Sequence, residues 1–269
     1  MTTFGITRSF NEVDLLEHAI RRMLRQVDHI IIGDNSTDGG WEALEKLVAD
    51  DLPITLFRDV KPSWQQREVM TEYAFRARDM GAEWVCPFDI DEAWLPCDLG
   101  PGPRIADSLA TVPEPILIAV AANLTHAATT EDDMTDPDPM SRMKWRSPER
   151  LPLGKVACRV RTGLRIGHGN HDAIYKGVRH VPTVHGVIES RHFPYRTADQ
   201  FIKRVQGAWP QLRDSGLPQT HGAHMWGYGE MLDRCGPEGL RDWFNSKFLF
   251  DHPATNPEGL VFDPLPPLR

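Results

Sequence analysis

Along the first third of the chain, apolar positions switch repeatedly between the period of a strand and the period of a helix. Residues 3–7 form a short apolar run, after which Leu15, Leu16, Ala19, Ile20, Met23 and Leu24 recur at helical spacing. Residues three and four apart share one face of a helix, so this segment has a face to bury. Ser9 and Glu12 stand at capping-box spacing and Asn11 is itself a good N-cap, which predicts a helix from about residue 12. Next comes His29-Ile-Ile-Ile-Gly33, a continuous β-branched run of the kind found in strands covered on both faces. It ends in the dense turn signal Asp34 to Gly40, and a second helix is expected from about Trp41 to Ala49.

The same rhythm continues. Residues 53–58 read as a third strand, and Ser63 with Gln66 forms a further capping pair that opens a helix running to about Met80, where Gly81 stops it. Residues 84–88 read as a fourth strand. Strands alternating with helices at this spacing predict an α/β fold: a mostly parallel sheet with helices on both faces. In such sheets ligands bind beyond the carboxyl ends of the strands, where the polar clusters 8–12, 34–38 and 89–92 all fall.

Beyond residue 96 the pattern loosens. Residues 97–104 are rich in Pro and Gly and read as a loop, and Pro115 to Ala122 reads as a fifth strand. Residues 125–150 show no period and are expected to form one long loop. Short β-like runs fill 155–193, and helical pattern returns at 197–214, 226–235 and 238–249, before a Pro-rich tail at 253–269. The expected division is a main domain over 1–215, split into halves at 95, and a helical C-terminal extension over 216–269. No internal repeat is visible.

Composition narrows the class. The chain has 269 residues, 41% hydrophobic and 25% charged, ordinary values for a globular protein. No apolar run approaches the roughly 20 residues needed to span a bilayer. The N-terminus has no basic segment followed by an apolar one, so no signal peptide is expected. Cys86, Cys97, Cys158 and Cys235 lie far apart and read as reduced thiols of a cytoplasmic protein. A net charge of −8 argues against broad binding to nucleic acid, although residues 191–213 carry a local basic excess.

Candidate chemistry centres on Trp84 to Trp94, where an apolar run ends in Asp89 and Asp91. In an extended chain these two project to the same side. Paired carboxylates of this kind hold a cation or divide into acid and base. Crowded oxygen ligands suit a hard ion such as magnesium or manganese. Five histidines (His168, His171, His180, His185, His192) crowd one later segment, but no His-Glu-x-x-His helix supports a zinc hydrolase. The tryptophans read as core, with Trp94 and Trp145 falling in or near predicted loops by the site, where an aromatic face could stack on a ligand.

Three stretches together resemble a known family: Thr7-Arg-Ser-Phe-Asn-Glu12, Val27 to Gly39, and Trp84 to Trp94, with the later His192-Phe-Pro-Tyr-Arg196. In order and spacing they resemble family 2-like nucleotide-sugar glycosyltransferases of the GT-A fold, strongly over 3–95 and more weakly over 165–205. The resemblance implies a GT-A-like, Rossmann-like sheet and a sugar nucleotide, UDP-linked favoured, under the first strands. It implies a manganese or magnesium ion on Asp89 and Asp91, with His192 as a further metal ligand. Asn11, Glu12, Asp34 and Ser36 would meet the base and ribose, Arg8 and Arg67 the diphosphate, and Asp89 and Arg196 would also belong to the nucleotide-sugar site.

The implied reaction is transfer of a sugar to an acceptor hydroxyl, with inversion in the manner of family 2. The chain departs from the family's usual downstream Glu-Asp pair, so Asp172 and Glu189 stand as alternatives for the base, and His171 as an acceptor-side candidate beside them. The acceptor class stays open among a glycan, a protein, a lipid and a modified DNA base. Two rivals remain. A nucleotidyltransferase would carry a Gly-rich basic loop where this chain has Arg8-Ser-Phe-Asn11, and a non-catalytic binding module would not need the intact acid pair.

Overall fold

The computed structural model describes residues 1–62, 65–97, 103–216, 218–219, 222–251 and 259–267. The capping pair proposed for Ser63, the core role of Trp64 and residues 253–258 and 268–269 of the Pro-rich tail lie outside these residues. The elements in chain order are β1 (Thr3–Ser9), α1 (Val13–Leu24), β2 (His29–Asp34), α2 (Gly40–Ala49), β3 (Ile54–Arg58), α3 (Gln66–Asp79), β4 (Trp84–Pro87), β5 (Glu92–Pro96) and α4 (Ile105–Ala110). There follow β6 (Ile118–Thr129), α5 (Pro139–Arg142), β7 (Trp145–Arg150), β8 (Lys155–Arg159), β9 (Leu164–Ile166), β10 (Ala173–Tyr175) and β11 (Thr183–His192). The chain closes with α6 (Ala198–Arg213), α7 (Ala223–Lys247), β12 (Leu249–Phe250) and β13 (Val261–Phe262). Packing divides it into two compact units, Met1–Thr125 with Glu149–His192, and His126–Pro148 with Phe193–Pro267.

The first unit is α/β. Its sheet runs β6-β8-β4-β1-β2-β3, with β4, β1, β2 and β3 all parallel and β8 antiparallel to both its neighbours. β11 lies parallel to β6 and antiparallel to β5. Alternation along β1 shows why helices cover both faces. Phe4 and Ile6 pack into a core with Val69, Met70 and Tyr73 of α3. Gly5 between them looks the other way, where a Cβ would stand 3.4 Å from Met23 of α1 and 3.1 Å from Phe88.

Two sequence expectations change. Neither Ser9 nor Asn11 caps α1: Ser9 closes β1, Asn11 is left-handed at φ 54°, and the cap position falls on Glu12. The first amide of α1, Val13 N–H, instead donates to Asp38 Oδ2 at 3.0 Å, so the cap comes from the next loop. Residues 125–150 are not one long loop either. β6 runs on to Thr129, where β12 pairs with it, and α5 and β7 follow. Pairing across the sheet supplies what local periodicity could not show.

The second unit carries the two long helices. Thr197 caps α6 by accepting from Gln200 N–H at 3.1 Å. α7 breaks at Gly236 (φ 68°, ψ −174°), just before Pro237, which matches two helical stretches divided near that point. Phe201 of α6 meets the rings of Tyr228, Trp243, Phe244 and Phe248. No helix among the described residues is long and apolar enough to cross a membrane.

Gly33 in β2 sits directly over a buried hydroxyl: a Cβ there would stand 2.0 Å from Tyr73 Oη and 2.8 Å from Asp59 Cβ. Gly33→Ala is expected to destabilise the fold by about 1–3 kcal/mol through overpacking, read as a lowered denaturation midpoint. His29 gives a second test. Burial lowers its pKa below 6.5, and Nε2 lies 2.8 Å from Thr55 Oγ1. A depressed histidine contributes stability that is complete above the unfolded value of 6.5 and is lost as pH falls below it. Denaturation on either side of that pH should show the slope, and His29→Gln should remove this share of it.

Candidate functional site

The tips of β1, β2, β3 and β4 lie side by side at the carboxyl end of the sheet. The loops after β1 and β2 are stitched together. Asp34, fully buried, accepts from Ser36 N–H at 3.0 Å and from Ser36 Oγ–H at 2.6 Å. Ser36 Oγ in turn accepts from Asn11 N–H at 2.9 Å, and Asn11 Oδ1 accepts from Thr37 N–H at 2.8 Å. The structure thus brings together Asn11, Ser36 and Asp34, all expected at the nucleotide, with Glu12 half-buried next in the chain. Asp34 spends both oxygens within its own turn.

Arg8 is engaged in the same way. Its Nε donates to Asp59 Oδ2 at 2.7 Å, and the other nitrogens donate to the carbonyls of Pro62 (3.2 Å) and Lys61 (2.5 Å). Asp59 also accepts from Tyr73 Oη–H at 2.6 Å and from Lys61 N–H at 3.0 Å. Arg67 lies exposed on the first turn of α3. Arg196, in the second unit, is buried and donates to Phe193 O at 3.1 Å.

Asp89 and Asp91 do not leave a strand side by side. β4 ends at Pro87, and Asp89 to Glu92 form a turn closed by Glu92 N–H donating to Asp89 O at 3.0 Å. Buried Phe88 and Ile90 anchor that turn, and it sends the two carboxylates to different partners. Asp89 Oδ2 accepts from Lys155 Nζ at 2.5 Å, and Oδ1 accepts from Asn170 Nδ2 at 3.1 Å. Asp91 Oδ2 instead lies 3.4 Å from His192 Nε2.

Lys155 opens β8 and is only 4% exposed at its side chain. Besides Asp89 it reaches Glu92 Oε1 at 3.0 Å and donates to Gly169 O at 2.9 Å. Burial alone disfavours an ammonium, but Asp89 and Glu92 outweigh it and hold Lys155 charged, above the ordinary lysine value. Burial likewise pushes Glu92 up, against the pull of Lys155. Glu92 Oε2 accepts from Trp94 Nε1–H at 3.0 Å, and Trp94 is buried. Trp94 is therefore core rather than a face for sugar stacking. Trp145 lies edge-on to Phe262, with ring centroids 5.1 Å apart.

The crowded histidines separate. His168, His180 and His185 are exposed. His192 is raised above 6.5: burial opposes its charge, but Asp91 outweighs that. His171 Nδ1 lies 2.8 Å from Gly154 O, a partner that can only accept, so Nδ1 donates to it and the ring is oriented by that contact. Asp172 beside it is exposed. Glu189 is ion-paired with Arg191 at 2.6 Å. Alternation along β11 puts that pair on the opposite face from His192.

Among the described residues, no group of three or more His, Cys, Asp or Glu side chains is arranged to hold a metal. The donors that do converge are Asp91 and His192. Two protein ligands fit magnesium or manganese only when substrate phosphates and water complete the coordination. Asp89, with both oxygens engaged, does not fit as a third. Sequence reasoning missed Lys155, Asn170 and Asp59. The one available signal was a lysine opening the otherwise apolar run Lys155-Val-Ala-Cys158.

No protein-family model matches the sequence, and none of the curated proteins is similar to it. Among solved structures, S. aureus TarS 1-349 in complex with UDP is similar at 11% identity, TM-score 0.44, over 86% of this chain and 71% of that one. Glucosyl-3-phosphoglycerate synthase from Mycobacterium tuberculosis is similar at 18% identity, TM-score 0.31, over 45% and 44%. A glucose-1-phosphate thymidylyltransferase from Bacillus anthracis gives 9% identity and TM-score 0.33 over 93% and 86%. Likenesses this loose assign neither an activity nor a family to the chain.

Asp59 joins three elements through Arg8, Tyr73 and Lys61 N–H, and it is buried. Asp59→Ala leaves a guanidinium and a buried hydroxyl without their acceptor, and is expected to cost about 3–5 kcal/mol. Chemical denaturation reads that loss, and a cost under 1 kcal/mol would show that the network does not hold the strand tips.

Proposed function

We propose that this chain is a glycosyltransferase of GT-A type that moves a sugar from a nucleoside-diphosphate sugar, UDP-linked favoured, to an acceptor hydroxyl. One observation carries the reading. Asp91 and His192 converge at the ends of β4 and β11, at the same sheet end where the loops after β1 and β2 form a rigid platform. An apolar sheet that ends in acids, an imidazole and cross-linked loops suits a polar ligand with a cation-dependent diphosphate.

Asp91 and His192 are the residues that would hold a manganese or magnesium ion, and such an ion would offset charge on the departing diphosphate. The platform of Asn11, Ser36 and Asp34 would orient the nucleoside. Its hydrogen bonds are largely spent inside the loops, so it would serve through shape and backbone groups. For the acceptor proton, His171 is favoured over Asp172 and Glu189. Its ring is oriented by the Nδ1 contact with Gly154 O, which in the neutral form would leave Nε2 as the acceptor a general base requires. Glu189 is already neutralised by Arg191. Inversion is the outcome this arrangement would give with a single displacement.

The test is binding first and turnover second. UDP is expected to raise the thermal midpoint only when manganese is present, because a ligand that binds the folded state stabilises it by mass action. Asp91→Asn should abolish that shift, and hydrolysis of UDP-sugars should disappear with it. Absence of any shift with UDP or another nucleoside diphosphate would overturn the proposal. A shift without turnover of any donor would instead mark a binding module.

A further inference from the structure

We infer that Lys155 is a positioning residue for the donor diphosphate: a resident cation, buried between Asp89 and Glu92, that lets a turn rich in carboxylates accept a polyanion. This rests on the donor reading above. The turn Asp89-Ile90-Asp91-Glu92 places three acids within four residues, with Glu92 fully enclosed and the Asp89 side chain still 35% exposed. A diphosphate brought to Asp91 and His192 would meet that negative charge at short range.

Lys155 answers it from below. Its ammonium has three N–H donors and three acceptors within reach: Asp89 at 2.5 Å, Glu92 at 3.0 Å and Gly169 O at 2.9 Å. It cannot leave to bind the ligand directly, and its charge stays under the turn. Asn170 completes the clamp on Asp89 from a left-handed backbone (φ 59°), an arrangement that costs energy and is held by the contact. A buried ion pair adds little stability over well-packed apolar side chains of the same volume. Stability alone is therefore a weak reason for the charge of Lys155, whereas electrostatic balance beneath a diphosphate supplies one.

Calorimetry with manganese present, comparing UDP with uridine, separates the two roles. Lys155→Met is expected to weaken UDP at least about tenfold, as one unit of charge at short range would do, and to leave uridine nearly unchanged. Adding Glu92→Gln removes one negative charge and should bring UDP back to within about threefold of wild type. Should Lys155→Met fail to fold, the double variant still decides the matter. UDP binding near the wild-type level supports the charge-balance role, and binding that stays about tenfold weak overturns it. Unchanged UDP affinity in Lys155→Met, or equal losses of UDP and uridine, would also overturn it. Wild-type protein that binds no UDP would remove the donor reading itself, a result distinct from either.

Discussion

A single buried ammonium decides where the acids of this protein point. Lys155 joins the start of β8 to the turn after β4 and to the backbone of Gly169, tying three separate chain segments to one charge. Removing either partner of such a pair leaves an uncompensated charge out of water, so the three segments are coupled in stability. With Asp89 held by Lys155 and Asn170, Asp91 is the carboxylate that meets His192. The two aspartates are chemically alike, and the lysine makes them different.

The strand tips on the other side of β1 follow the same logic with different chemistry. Loops that carry ligand-binding groups are ordinarily the softest part of an α/β fold. Here Asn11, Ser36, Thr37 and Asp38 cross-link the first two loops, and Arg8 with Asp59 and Tyr73 binds the third to α3. Polar side chains that look like ligand contacts in sequence are consumed in holding the backbone. The result is a surface already ordered, and such pre-organisation lowers the entropy lost when any ligand associates.

Much of the first unit was legible in the sequence. The β-branched run His29–Gly33 and the helical spacing of Leu15 to Leu24 placed β2 and α1 to within a residue or two, and in the second unit the helical stretches 226–235 and 238–249 fall on either side of the break in α7. These signals are local. The failures are non-local. Asp38 capping α1 across a loop, β6 continuing to Thr129 beside β12, and Lys155 meeting Asp89 at a separation of 66 residues leave no trace in any short window. At the site, the spacing of Asp89 and Asp91 was read as a strand, but the hydrogen bond from Glu92 N–H to Asp89 O makes it a turn. The residue types were informative and their directions were not.

The turn also fixes which side chains of β11 share its face. β11 enters the site beside β5 with His192 opposite Glu92. Because side chains alternate, every second residue of β11 faces away, and Glu189 with Arg191 falls on that far side. A base must come within hydrogen-bond reach of the proton it removes. A carboxylate from this strand could do so only by slipping one register, which would also turn His192 away from Asp91. The pairing that brings His192 to Asp91 thus excludes Glu189 from the same face. The loop of His168 to His171 is tied to the acid turn through Asn170 and, by way of Lys155, through Gly169.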